Sequence, residues 1–156
     1  MKMTRTAVFA LLFLITALYA LHCARGPEPM AVEFRLARTE PGEGLTEMTF
    51  DPTGEKFYLD DEVLIDNRDI AAAAATEWQG EHVIELTFTE PGKEKLARVT
   101  GQNVTERMGM VVDGRLLSAP RINAAITQGR AIIIGALTEE EARRLAAGIQ
   151  AALTAE

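Results

Sequence analysis

The side chains of this chain that could attack a bond, shuttle a proton or hold a metal are few. They are Cys23, the histidines His22 and His82, and two acidic runs, Asp60-Asp61-Glu62 and Glu139-Glu140-Glu141. Nucleophilic catalysis needs a Ser or Cys beside a base, and a lone His82 next to a strand start does not build a triad. A zinc centre needs three or four His, Cys or carboxylate ligands, which neither the residue types nor their spacing supply. Neighbouring carboxylates in sequence face different directions. The acidic runs therefore read as a hairpin turn and a helix N-terminus before they read as a calcium or glycosidase site. No glycine-rich phosphate loop follows a strand. The expectation is a chain with no catalytic residue, no cofactor and no metal, one that works by binding.

Charge narrows the partner. The formal net charge is -7, and Glu28 to Glu77 holds 13 acidic against 4 basic residues, whereas the rest, from Trp78 on, is nearly balanced at 10 against 9. Phosphate binding needs clustered Lys and Arg, so nucleic acid is not expected, and the acid reads as a solvated surface. The N-terminus has the shape of an export signal: Lys2 and Arg5, an apolar run from Ala7 to Leu21, then Gly26, Pro27 and Pro29. A run of about 15 residues fits a signal-peptide core better than a span of about 20. Residues 1–22 are read as a signal peptide or membrane anchor and 23–30 as a linker, with the remainder outside the cytoplasm. Cys23 is the only cysteine, so no internal disulfide can form. Its place directly after the apolar run resembles the lipid-accepting cysteine of bacterial lipoproteins, although Ala20 and His22 depart from the usual Leu and small residue. Lipidation at Cys23, an uncleaved anchor and ordinary cleavage all stay open.

The elements that must position a binding surface begin at Ala31. Val32, Phe34 and Leu36 alternate with polar or small residues, the period-2 signature of a strand with one buried face. A polar loop is expected from Thr39 to Thr53, and a small hairpin over Lys56 to Ile65, turning at Asp60-Asp61. Asp66 can cap a helix with Asp69 three residues on, so Ile70 to Ala75 and onward to Trp78 is predicted as a helix that Gly80 breaks. Val83 to Thr89 is a strand. Pro91 opens a short helix with Leu96 and Val99, ending around Gly101.

Arg107 to Leu117 carries Asp113-Gly114 between apolar runs, a strong hairpin signal, with Met108, Met110 and Val112 on one face and Pro120 ending the second strand. Ile122 to Ile126 is expected to make a helical turn or two. Arg130 to Ala136 is a β-branched strand, and Thr138 with Glu141 forms a capping box for a last helix with Ala142, Leu145, Ala146, Ile149 and Leu153 on its buried face. Hairpins mixed with helices predict an α+β fold, a mixed, largely antiparallel sheet covered by helices, over residues 31–156.

The run VVDGRLLSAPRINAAITQGRAIIIGALTEEEARRLAAGI resembles the periplasmic head subdomain of SecD, of the SecD/SecF protein-export family. That family's "DG-x-x-x-SAP-x-I" is met by Asp113, Gly114, Ser118, Ala119, Pro120 and Ile122. Its "I-x-x-G-x-x-x-I-x-G" is met by Ile126, Gly129, Ile133 and Gly135, and its "T-x-x-EA-x-x-LA" helix by Thr138, Glu141, Ala142, Leu145 and Ala146. The upstream FTEPGKEKLARVT is similar to the family's "F-T-x-x-G-x-x-x-F-x-x-x-T", with Leu96 for the usual aromatic. In the family the head is part of a multi-span protein that couples the proton gradient to polypeptide export. This chain shows no multi-span region, so the resemblance implies a free-standing, membrane-tethered head on the periplasmic side that binds extended or unfolded polypeptide. An envelope lipoprotein docking a folded membrane-complex partner is the alternative. An exposed sheet edge and an adaptable apolar surface would be the means. Met108 and Met110 are candidates because thioethers adapt to varied side chains, as is the Ser118 to Asn123 loop, with Ser118, Pro120 and Asn123.

Overall fold

A computed structural model of the chain describes residues 26–155. Cys23 and the apolar run from Ala7 to Leu21 lie outside the described residues. Alternating strands need a partner for each buried face, and the described residues supply it with two antiparallel sheets and two helices. The element order is β1 (Val32–Arg38), β2 (Leu45–Phe50), β3 (Glu55–Asp60), β4 (Ile65–Asp66), a 3-10 turn (Asn67–Asp69), β5 (Ile70–Trp78) and β6 (Glu81–Phe88). There follow α1 (Glu90–Gln102), β7 (Arg107–Val112), β8 (Arg115–Ser118), β9 (Arg130–Leu137) and α2 (Glu139–Thr154). The larger sheet runs β2-β3-β1-β7-β8, with β4 also on β1; the smaller runs β5-β6-β9. The fold is α+β, as the residue patterns predict.

The larger sheet curls until its outer strands β2 and β8 approach each other. Inside the curl a small apolar cluster forms from Ala37, Phe57, Leu59, Val111 and Leu116. The main core lies between the other face of that sheet and the small sheet. There Val32 and Phe34 meet Ile84, Leu86 and Ile133, with Leu96 of α1 and Leu145 and Ile149 of α2 closing the sides. Phe34 meets Phe88 edge to face at 6.2 Å between ring centres, which ties β1 to β6. Because β7 lies between the two clusters, Met108 to Val112 are all buried.

Four expectations are corrected. The alanine run is strand, not helix: Asp66 and Asp69 do form a capping box, but around a single 3-10 turn, and Ala72 to Trp78 pair residue by residue with β6. Gln79 and Gly80 carry φ of 52° and 82°, the left-handed pair of a tight hairpin turn, so the pairing of β5 with β6 overrides alanine's helix preference. The polar stretch before Thr53 is not all loop. It contains β2, which pairs with β3 from Leu45–Asp60 to Phe50–Glu55. Lys56 to Ile65 is not a hairpin; β3 and β4 both pair with β1, and Asp60-Asp61 turns the chain along β1 instead of back on itself. Ile122 to Ile126 makes no helical turn, because the Ile122 main chain is engaged by Thr105 and Glu106, just ahead of β7, and the Ile126 N–H by Thr100 of α1. The predicted strands at 83–89 and 130–136, the α1 helix, the Asp113-Gly114 hairpin and the Thr138–Glu141 capping box are all present.

Candidate functional site: an apolar cavity between the two sheets

The strand β7 sets the floor. Met108 and Met110 lie on its core face, 3% and 5% exposed, and both line a cavity of about 610 Å³, within the size range of natural ligand pockets. Phe34 of β1, Leu96 and Thr100 of α1, and Arg130, Ala131 and Ile132 of β9 line it from three further elements, and Pro120 to Ile126 supply the remaining wall. The lining is mainly apolar.

The wall is held without regular structure. Met108 N–H donates to Pro120 C=O at 2.9 Å, Ile122 N–H to Glu106 C=O at 2.8 Å, and Thr105 N–H to Ile122 C=O at 2.8 Å. Arg107 donates from its guanidinium to Ala119 C=O at 2.8 Å while stacking over the Phe57 ring at 5.6 Å, a cation–π contact. Thr100 completes the frame. Its hydroxyl donates to Leu96 C=O one turn back, at 2.7 Å, and accepts Ile126 N–H at 2.8 Å. These bonds occupy the donors that a helical turn over 122–126 would use.

Charge is confined to the mouth. Glu85 and Arg130, neighbours across β6 and β9, form an ion pair at 3.5 Å, and Arg121 is exposed on the loop. The other acidic groups of interest are engaged elsewhere. Asp61 accepts the Thr46 hydroxyl at 3.0 Å, and Glu141 is held below the usual carboxylate range chiefly by the Thr138 backbone N–H and then by its hydroxyl. Asp69 takes an ion pair from Lys95 at 2.7 Å. Among the described residues no three His, Cys, Asp or Glu side chains converge as a metal site would require. The arrangement can desolvate apolar side chains of a ligand; it places no nucleophile beside a base.

Of the residues singled out from the sequence, Met108, Met110, Pro120 and Asn123 come together at this cavity. Ser118 does not; it ends β8 and is buried opposite Met110 in the strand pairing. Cys23 is outside the described residues. The sequence reading missed Phe34, Leu96, Thr100 and Ile132. For Thr100 a signal existed, since it stands four residues after Leu96 and so shares its buried helix face, but nothing local says that its hydroxyl reaches Ile126.

Comparisons with known proteins agree with the fold. The family model of the SecDF P1 head subdomain matches residues 43–155. Protein translocase subunit SecDF of Thermus thermophilus is 43% identical over 84 residues, 53% of this chain and 11% of that protein. Protein translocase subunit SecD of Acidaminococcus fermentans is 38% identical over 73 residues, 47% of this chain and 18% of that one. The chain thus spans less than a fifth of the length of these relatives. A solved structure of a membrane component SecDF that enhances protein export superposes with a TM-score of 0.64 at 26% identity, covering 96% of this chain and 70% of that one. The crystal structure of SecDF in its super-membrane-facing form gives 0.64 at 28% identity, over 96% and 21%. With the family model matching well over half of its length, the chain belongs to the SecDF P1 head subdomain family.

Proposed function

We propose that this head domain holds extended or unfolded polypeptide on the periplasmic side of a bacterial membrane, in the service of protein export, and that it is tethered there through its N-terminus. The cavity floored by Met108 and Met110 carries this reading. It is apolar, it opens at the surface, and its floor is made of side chains that adapt to varied partners. Relatives named as protein translocase subunits supply the setting. Under this reading residues 1–22 are either a signal peptide cleaved ahead of Cys23, which then accepts lipid, or an uncleaved membrane anchor; residues 23–30 hold the domain off the membrane, and residues 31–156 do the binding.

A second reading, a folded partner in a membrane complex, rests on a different observation. The outer face of the small sheet exposes Trp78 and Ile134, 42% and 39% accessible. A photo-crosslinking residue in place of Asn123, introduced in living cells, separates the two. Crosslinks to many unrelated chains during their export support polypeptide binding; a single stoichiometric folded partner sinks it. Ala124→Trp, which fills the cavity from its wall, is expected to lower the crosslink yield at least about fivefold while leaving the fold intact by circular dichroism.

A further inference from the structure

The cavity has a second property besides its apolar lining: one side of it is a bare sheet edge. β9 is the last strand of the small sheet, joined to β6 alone. In antiparallel pairing, residues that exchange both main-chain hydrogen bonds alternate with residues whose N–H and C=O point away. Phe88 N–H donates to Gly129 C=O at 3.0 Å, and the register then opposes Leu86 to Ala131 and Ile84 to Ile133. Those are the bonded pairs. Arg130, Ile132 and Ile134 therefore turn their N–H and C=O outward, and among the described residues none of these groups meets another main-chain partner.

The edge is open at one end only. At Gly135 it is closed by β8, where an added Cβ would stand 3.0 Å from Leu117 C=O. Toward Arg130 it borders the cavity, which Arg130, Ala131 and Ile132 line together with the Pro120–Ile126 wall. Arg130 and Ile132 thus border a slot, and Ile134 continues the edge just beyond it. A slot of about 610 Å³ has the size for a few residues of one extended chain.

Resting on the polypeptide-binding reading, we infer that the bound segment adds to β9 as a fourth strand of the small sheet, gripped through its backbone by Arg130, Ile132 and Ile134. Successive side chains of a strand alternate between faces. One set falls on the core side with Ala131 and Ile133 and enters the cavity over Met108 and Met110. The other set lies on the side of the Glu85–Arg130 pair, toward solvent. The preferred segment is therefore extended, with apolar side chains at every second position and tolerance for polar ones between. Backbone bonding supplies an affinity that does not depend on sequence, which suits a site for varied clients.

The test uses the full chain and a short synthetic peptide alternating valine and serine, with two analogues N-methylated on every second amide, in one phase or the other. One phase removes the donors that β9 would accept and is expected to weaken binding at least about tenfold, while the other changes it by less than about twofold. Bound peptide is expected to slow hydrogen exchange of the Arg130, Ile132 and Ile134 amides. Equal binding by both analogues, without that protection, would overturn strand addition and leave the cavity reading standing. No binding of the unmethylated peptide would remove both. Concentration-dependent self-association protecting the same three amides without peptide would give the slot to a second copy of the chain and overturn the assignment.

Discussion

Thr100 shows how much of the site depends on one hydroxyl. It is buried at the end of α1, donates to Leu96 C=O and accepts from Ile126 N–H, so both of its roles are filled inside the protein. Thr100→Val keeps the shape and leaves the Ile126 amide without its acceptor. The expected loss is about 1–3 kcal/mol, read from denaturant unfolding; an unchanged midpoint would show that the wall is held elsewhere. Asp66 offers a pH-dependent counterpart. A hydrogen bond from the Arg68 side chain, helped by that residue's backbone N–H, holds Asp66 below its ordinary value of 3.8. A depressed folded-state value means the stabilisation is complete above 3.8 and fades as pH falls through the lower, folded-state value. Wild type is thus expected to exceed Asp66→Asn in stability at neutral pH, by less than about 1 kcal/mol for so exposed a pair. In acid that gap closes, as thermal melts across pH would show. Gly92 marks what a residue pattern can convey without its reason. It falls in the FTEPG run that resembles the family motif, but only the fold shows why no side chain fits: a Cβ there would lie 2.0 Å from Asp69 C=O.

Among the elements, β5 is the instructive case. Five alanines read as helix because alanine has the strongest intrinsic helix preference, and nothing within the run contradicts it. The deciding information is outside the run, in the Gln79-Gly80 turn and in β6, whose own alternation demands an antiparallel neighbour. Once the strand forms, small side chains let α2 pack closely, and Gln150 of α2 accepts the Ala73 N–H at 3.1 Å. Ala74 lies on the exposed outer face, opposite Glu85. Ala74→Val is therefore expected to raise stability by up to about 1 kcal/mol, since β-branched residues favour strands; a drop of that size would be the signature of a helix. Elements with a local signal were legible: the alternation of β6, the β-branched run of β9, the Thr138–Glu141 capping box, the Asp113-Gly114 turn. β2, β4 and the Pro120–Ile126 wall were not, because long-range pairing decides them and their composition does not.

For the molecule as a whole, the class of fold could be read from the chain, and so could four of the side chains around the cavity, but not the cavity itself. Its walls come from β1, α1, β7, β9 and the loop between β8 and β9, segments that meet only after both sheets have formed. The same assembly explains the attachment of the N-terminal segment. Met30 is packed into the main core, its N–H donates to Gly148 C=O of α2 at 2.9 Å, and its C=O accepts the Asn67 side chain at 3.1 Å. Asn67 in turn accepts Val32 N–H at 2.7 Å. Tension arriving along the backbone from the N-terminal side is met first by this clasp. It is shared with α2 and the 3-10 turn before it reaches β1, so a pull on that end loads the closing helix ahead of the strand that carries Phe34 to the cavity.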